Sequence, residues 1–369
     1  MKPVLPALQE NVLLAPLTTV GLGGPARYFA SIASRAELAA ALDWAARENL
    51  PVQLLGGGSN TVFSDDGFAG LVVRLARRGI TFRAERGDVL CMAQAGSEWD
   101  DLVAAAVARG LGGVECLSGI PGSVGATPVQ NVGAYGQEVA QTLHALRVFE
   151  RGTGRVLHLS GEECGFGYRQ SRFKGPDRDR FVILGVTFRL RPGARPHLGY
   201  REVAERAALE DLSSLTPQQA LAAVRRIVLD LRRQKAMLRD RQDPNARSVG
   251  SFFLNPILSA GQLEQLRADL GSRAGEIPVF PAPDGYKVSA AWLIGEAGFR
   301  RGQRRGGAAI SERHLLALVN LGGSAADLLA LAHEVREGVR RRFGVELQPE
   351  PVIVPFDTVP GDVSIPRSC

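Results

Sequence analysis

Three short polar constellations, each set in apolar or glycine-rich surroundings, hold the side chains best suited to chemistry. In Gly165-Phe-Gly-Tyr-Arg-Gln-Ser-Arg-Phe-Lys174, the residues Tyr168, Arg169, Ser171 and Lys174 crowd between glycines, and a guanidinium there offers forked donors to a carboxylate. In Ser248-Val-Gly-Ser-Phe-Phe-Leu-Asn-Pro256, the hydroxyl of Ser251 precedes two phenylalanines. In Leu347-Gln-Pro-Glu-Pro351, Glu350 stands between prolines beside the apolar Val352-Ile353-Val354, a setting for an acid. Plainer readings stay open: Arg169 as an ion-pair partner, Ser251 as a helix N-cap, Glu350 as a turn charge. A serine triad is disfavoured, because Ser251 lies in no G-x-S-x-G elbow and His144, His158, His197, His314 and His333 form no relay.

Two glycine-rich segments point to a second kind of chemistry. Gly119-Ile-Pro-Gly-Ser-Val-Gly-Ala-Thr-Pro-Val-Gln-Asn-Val-Gly-Ala-Tyr-Gly136 carries five glycines and two prolines, and Leu55-Gly-Gly-Gly-Ser-Asn60 follows the apolar run 51–55. Glycine lets a ligand approach the main chain, and converging N–H groups bind phosphate oxygens. One such cluster reads equally well as a tight turn; two beside strands suggest a diphosphate cradle for a dinucleotide-sized cofactor. No G-x-G-x-x-G opens a helix after the first strand and no G-x-x-x-x-G-K-[ST] occurs, so neither the Rossmann fingerprint nor the P-loop is supported.

The elements that must position these groups follow from pattern and punctuation. Ser34 with Glu37 forms a capping box that opens a helix over 34–50, and strands are predicted at 51–55, 71–75 and 89–95. Ser97 with Asp100 is expected to cap a helix running to Gly110. In 181–190, Val182, Leu184, Val186 and Phe188 alternate as one face of a half-buried strand. Thr216-Pro-Gln-Gln219 starts a helix through Leu221, Val224, Val228 and Leu231, broken by Asp243-Pro. A further α+β pattern occupies roughly 245–345 and ends in a helix capped by Ser324 with Asp327.

The 369 residues suffice for two or three domains, and 45% hydrophobic with 22% charged residues is ordinary for a globular chain. No apolar run approaches the ~20 residues of a membrane span, and no signal peptide is expected, so a cytoplasmic chain is anticipated. Cys91, Cys116, Cys164 and Cys369 lack metal-ligand spacing; Cys91 and Cys116 read as core residues. The net charge of +6 comes from arginine runs including Arg225-Arg226, Arg232-Arg233, Arg300-Arg301 and Arg340-Arg341-Arg342. Most read as solvated helix faces; with aromatics at 6% and not interleaved with them, nucleic-acid binding is disfavoured, while an anionic nucleotide suits the charge.

Taken in order along the chain, Thr18-Thr-Val-Gly-Leu-Gly-Gly within 11–29, then 55–60, 120–138, 165–174, 250–256, 287–296, 314–320 and 347–351, the sequence closely resembles the UDP-N-acetylenolpyruvoylglucosamine reductases, the MurB flavoenzymes, in their type I branch. The resemblance implies an α+β protein with an FAD-binding fold of the vanillyl-alcohol-oxidase (PCMH) type in two N-terminal subdomains, 1–75 and 76–232. A substrate-binding α+β domain at 233–345 and a tail at 356–369 complete it, with the strand 346–355 returning to the first subdomain. It implies that NADPH reduces the flavin, after which the enolpyruvyl sugar nucleotide takes hydride from flavin N5 and a proton from Ser251. Arg169 and Glu350 then engage the substrate carboxylate and stabilise the intermediate.

Carried over by the same resemblance, the FAD contacts are Leu55, Gly56, Gly57, Gly58, Ser59 and Asn60, then Ser118, Gly119, Ile120, Pro121, Gly122, Gly125, Ala126, Gln130, Asn131, Gly133, Tyr135 and Gly136. Substrate contacts are Tyr168, Tyr200 closing over the nucleotide, Lys235 at the diphosphate, Asn255, Lys287 and Glu296. The expected partner is a small sugar nucleotide, with no nucleic acid, no membrane insertion and a monomeric chain. An oxidase on the same fold and a nucleotide-binding regulator acting on nucleic acid are the alternative readings.

Overall fold

The structure is a computed structural model that describes residues 5–240 and 242–354; Cys369, the tail 356–369 and Pro355 of the expected last strand lie outside the described residues. The chain forms two compact units. One comprises Ala26–Gly58, Ala69–Leu238 and the described residues before Leu13; the other comprises Leu13–Pro25, Ser59–Phe68 and the described residues from Arg239 onward.

In the first unit, the helix Arg35–Arg47 starts where expected but with only half of the capping box: Glu37 N–H donates to Ser34 Oγ at 3.2 Å, whereas the Glu37 carboxylate accepts from Ala33 N–H at 2.7 Å, one residue before the cap. Its apolar stripe, Leu38, Ala41, Leu42 and Ala45, is buried. The helix joins Pro25–Ile32 to Val52–Leu55 in a sheet ordered Leu8–Leu13, Pro25–Ile32, Phe68–Leu75, Val52–Leu55, whose last two strands run parallel.

A second sheet runs Val156–Ser160, Leu143–Glu150, Phe181–Pro192, Asp88–Gln94, Ile80–Glu85, all antiparallel, with Leu111–Gly112 paired to the long central strand. That central strand is not half-buried as its alternation suggested. Arg147 pairs with Gly185 but Val148 with Ile183, so Leu184 is an extra residue. The bulge shifts the parity. Val182 and Leu184 pack with Ile32, Leu38 and Leu71, whereas Val186, Phe188 and Leu190 pack with Trp99 and Leu102.

The helix Trp99–Ala108 is capped differently from the expectation: Glu98 is its N-cap and makes no side-chain cap. Ser97 Oγ is engaged by Gly79, accepting from its N–H at 3.0 Å, and Asp100 serves Arg225 and Gly119. The helix Pro217–Gln234 has its capping box, with Gln219 N–H donating to Thr216 Oγ1 at 3.3 Å, and ends well before Asp243-Pro.

The second unit contains a sheet ordered Ser248–Ser251, Ala317–Asn320, Ala308–Ile310, Arg304–Arg305, and a smaller one ordered Ile257–Leu258, Gly285–Val288, Val279–Ala282. The helices Ala260–Leu270, Ala290–Glu296 and Ala325–Phe343 enclose a core that includes Phe252, Phe253, Leu293, Ile310, Leu328 and Val335. Asp327 N–H donates to Ser324 Oγ at 3.0 Å, as the capping pattern predicts. Val352–Val354 pairs in parallel with Thr61–Phe63. No helix among the described residues is long and apolar enough to cross a membrane.

Candidate active site

In the first unit the two glycine segments form one surface. A Cβ at Gly57 would lie 2.5 Å from Gly122 Cα, and one at Gly56 would lie 2.8 Å from Ser123 Oγ and 3.1 Å from Ala126 Cβ. Gly57 is therefore demanded by main chain meeting main chain and Gly56 by the side chains of Ser123 and Ala126, contacts a solitary turn does not require. Gly125 backs onto Ala95 in the same way, at 2.5 Å, and Gly125 N–H donates to Ala95 O at 2.9 Å. Leu55 is buried at the end of its strand, Ser118 Oγ donates to Glu115 O at 2.6 Å, and Ile120 packs on the core beside the half-buried Pro121.

The distal part of the segment fastens Arg169. Asn131, at φ 46°, spends its amide on Glu138 and the Gly167 carbonyl, while its Oδ1 accepts from Ala140 N–H at 3.0 Å. Arg169, itself at φ 54°, donates from Nη2 to Gly133 O at 2.6 Å and from Nη1 to Asn131 O at 3.4 Å. Its guanidinium lies 5.6 Å from the centre of the Tyr168 ring. Left-handed backbone at non-glycine residues costs on the order of 1–3 kcal/mol each and persists where neighbours over-determine it. Here the hydrogen bonds do so, with Ser171 Oγ also donating to Val129 O at 2.5 Å next to the half-buried Gln130.

Beyond Gly133, a third cluster gathers Tyr135, Tyr200 and Lys235. The Tyr135 phenol is pushed up to about 12 by burial, and burial likewise raises that of Tyr200. The two rings meet edge-on at 5.3 Å, and Lys235 Nζ lies 5.6 Å over the Tyr135 ring while bonding Glu202 at 2.5 Å. The segment leading to Tyr200 is tied down by the buried Glu115 carboxylate, which accepts from Gly113 N–H, Gln137 Nε2 and His197 N–H at 2.7, 2.9 and 2.8 Å. A side chain at Gly136 would come within 2.8 Å of His197 Nε2.

Sequence reasoning missed Arg232 behind the cradle. Its Cδ would be 3.4 Å from a Cβ at Gly119, Nη2 donates to Met237 O at 2.7 Å, and Nε is buried with no hydrogen-bond partner among the described residues. Burial pulls this guanidinium below its ordinary value, opposed by the nearby Tyr135 phenol and Asp100 carboxylate. Burial alone would raise the Asp100 carboxyl, but bidentate Arg225 and the Gly119 N–H together hold it below its usual range. The pairs Arg225-Arg226 and Arg232-Arg233 are thus not simply solvated: Arg226 and Arg233 are exposed, whereas Arg225 and Arg232 face inward. The available signal was their seven-residue spacing, alongside Leu221 and Val228 on the helix's apolar stripe.

In the second unit Ser251 ends a strand, opposite Ala317, so it is not a helix N-cap. Glu350 is brought beside it in the main chain: Glu350 N–H donates to Phe252 O at 2.9 Å, and Leu254 N–H donates to Gln348 O at 2.9 Å. Asn60, which follows Ser59 in this unit, holds the same segment, its Nδ2 donating to Glu350 O at 3.3 Å and its carbonyl accepting from Val352 N–H at 2.9 Å. Asn255 Oδ1 accepts from Ala290 N–H at 2.9 Å at the start of Ala290–Glu296, and Lys287 lies on the neighbouring strand opposite Ile257. Both oxygens of Glu296 are held by Arg273, at 2.6 and 2.9 Å, so that carboxylate reaches a ligand only by yielding the pair. Arg273 lowers the Glu296 carboxyl accordingly.

Residues 242–354 match the family model described as UDP-N-acetylenolpyruvoylglucosamine reductase, C-terminal domain, and residues 26–160 match the model of an FAD binding domain. The chain is 48% identical to the UDP-N-acetylenolpyruvoylglucosamine reductase of Nocardia farcinica, covering 94% of this chain and 90% of that one. The Thermobifida fusca protein of the same name is also 48% identical, over 94% and 97% of the two chains. Among solved structures, the UDP-N-acetylenolpyruvylglucosamine reductase of Thermus caldophilus superposes with a TM-score of 0.65 at 28% identity, covering 95% of this chain and all of that one.

Proposed function

Because the chain belongs to the UDP-N-acetylenolpyruvoylglucosamine reductase family, we propose that it holds FAD in the glycine cradle and, with NADPH as reductant, reduces the enolpyruvyl ether of its UDP-sugar substrate to the lactyl ether of UDP-N-acetylmuramate. The mutual contact of the two glycine loops carries the reading, since packing Gly57 on Gly122 and Gly56 on Ser123 brings two runs of bare main chain together, as a diphosphate cradle requires. The orphaned Nε of Arg232 behind Gly119 fits the same ligand, offering a buried positive charge to an anionic group. Bound there, the flavin supplies hydride transfer in both directions.

The chain's own residues supply the rest. Arg169, oriented by two carbonyls, presents its cation to the substrate carboxylate. Ser251 gives its hydroxyl proton to carbon 2 of the enolpyruvyl group once the methylene carbon has been reduced, while Arg169 steadies the negative charge formed on the way and Glu350, set beside the serine strand, donates a hydrogen bond to it as a carboxylic acid. Lys235 takes the substrate diphosphate in exchange for Glu202, and Tyr200 covers the nucleotide. Tyr168, Asn255, Lys287 and Glu296 complete the sugar-nucleotide contacts. The free, buried thiols of Cys91, Cys116 and Cys164 suit a reducing compartment, and we place the protein in the cytoplasm.

The test is an anaerobic visible spectrum with NADPH and then UDP-N-acetylglucosamine-enolpyruvate added in turn. Bleaching of the flavin band followed by recovery supports the proposal. Bleaching without recovery rejects the substrate, and a chain that takes up no FAD rejects the whole reading.

A further inference from the structure

The first unit holds a cavity of about 260 Å³, walled by Ile32, Leu38 and Leu75 on one side and Val156 and Leu184 on the other. It adjoins the cradle through Ala95. Ala95 lines it, and the Ala95 carbonyl is the acceptor for Gly125 N–H. Arg169 is fastened at the opposite end of the same glycine segment, by Asn131 and Gly133. The cavity therefore lies within reach of the other half of a dinucleotide laid along the cradle with its redox ring toward Arg169.

Arg147 also lines the cavity. Its Nη2 donates to Gln94 Oε1 at 2.9 Å, which fixes the guanidinium, while its Nε is buried with no hydrogen-bond partner among the described residues. A buried cationic donor left unmatched is costly, and a purine ring offers both acceptor nitrogens for it and flat faces for the aliphatic walls. We propose that Arg147, oriented by Gln94, recognises the adenine of the FAD adenosine half in this cavity. The proposal rests on the FAD reading above.

The experiment titrates full-length protein, stripped of flavin, with FAD and with FMN, following flavin fluorescence. Arg147→Met is expected to weaken FAD about 10- to 100-fold, the range for one hydrogen bond to a charged group, and to leave FMN unchanged, since FMN lacks the adenosine. Gln94→Leu, which removes only the orienting acceptor, is expected to weaken FAD less and FMN not at all. An unchanged FAD affinity in Arg147→Met, or FAD and FMN falling together, overturns the assignment. Wild-type protein that binds FAD no more tightly than FMN overturns it as well while leaving the flavin reading standing; wild-type protein that binds neither removes both.

Discussion

Substituting Gly57→Ala tests the cradle at its tightest point. The added Cβ would lie 2.5 Å from Gly122 Cα, 3.0 Å from its carbonyl carbon and 3.2 Å from Ser123 N. All three are main-chain atoms, so no side chain can swing aside. Gly57 is not among the positive-φ glycines, which leaves space rather than backbone strain as the obstacle. Carbon contacts are comfortable from about 3.5 Å, so the loops must part by roughly 1 Å. Overpacking of that kind costs about 1–3 kcal/mol in stability. Displaced N–H donors also lose hold of the diphosphate, and one hydrogen bond to a charged group is worth roughly 1.5–3 kcal/mol, or about 10- to 100-fold in affinity. Titration of flavin-free protein with FAD, beside urea unfolding, measures both losses. Gly152→Ala is the control, having nothing within 4 Å, and is expected to stay within about 0.5 kcal/mol of wild type. FAD binding by Gly57→Ala within twofold of wild type would refute the reasoning.

Ser251→Ala is expected to leave flavin reduction by NADPH intact and to slow reoxidation by the enolpyruvyl substrate about 10²–10⁴-fold in stopped flow; equal slowing of both steps removes Ser251 from the proton-donor role. Arg169→Lys keeps a cation but loses the fork, and kcat/KM is expected to fall about 10²–10³-fold; retained activity contradicts the assignment. Asp100 has a folded pKa below its ordinary 3.8, so its contribution is present above that value and is lost as the pH falls through the folded pKa. The stability gap between wild type and Asp100→Asn is therefore expected to be full at neutral pH and to close in acid, and urea unfolding that shows a constant gap counts against the Arg225 pairing.

Local signals carried far in this sequence. The N-caps at Ser34, Thr216 and Ser324 state their helix starts because the donor and acceptor lie three residues apart in sequence as in space. Ser97 with Asp100 has the same spacing and fails, because Arg225, 125 residues away, is a better partner for that carboxylate than a helix end. The central strand misled for a similar reason: alternation is a local property, whereas the bulge at Leu184 is set by how Arg147 and Val148 pair across the sheet. Within the site, glycine density revealed the cradle. What it concealed was the company behind it, since a buried arginine such as Arg232 or Arg147 looks like a solvated one until its neighbours are known.

The pairing of Thr61–Phe63 with Val352–Val354 has a consequence for synthesis. Asn60 and Glu350, bonded beside that pair, stand 290 positions apart. At ribosomal rates of about 5–20 residues per second, the first partner is made roughly 15–60 s before the second exists. During that interval Val62 and Phe63, both fully covered in the finished protein, have nowhere to go. A chaperone has a long opportunity at this short strand, and a stop codon anywhere before Val352 would leave it permanently without its mate.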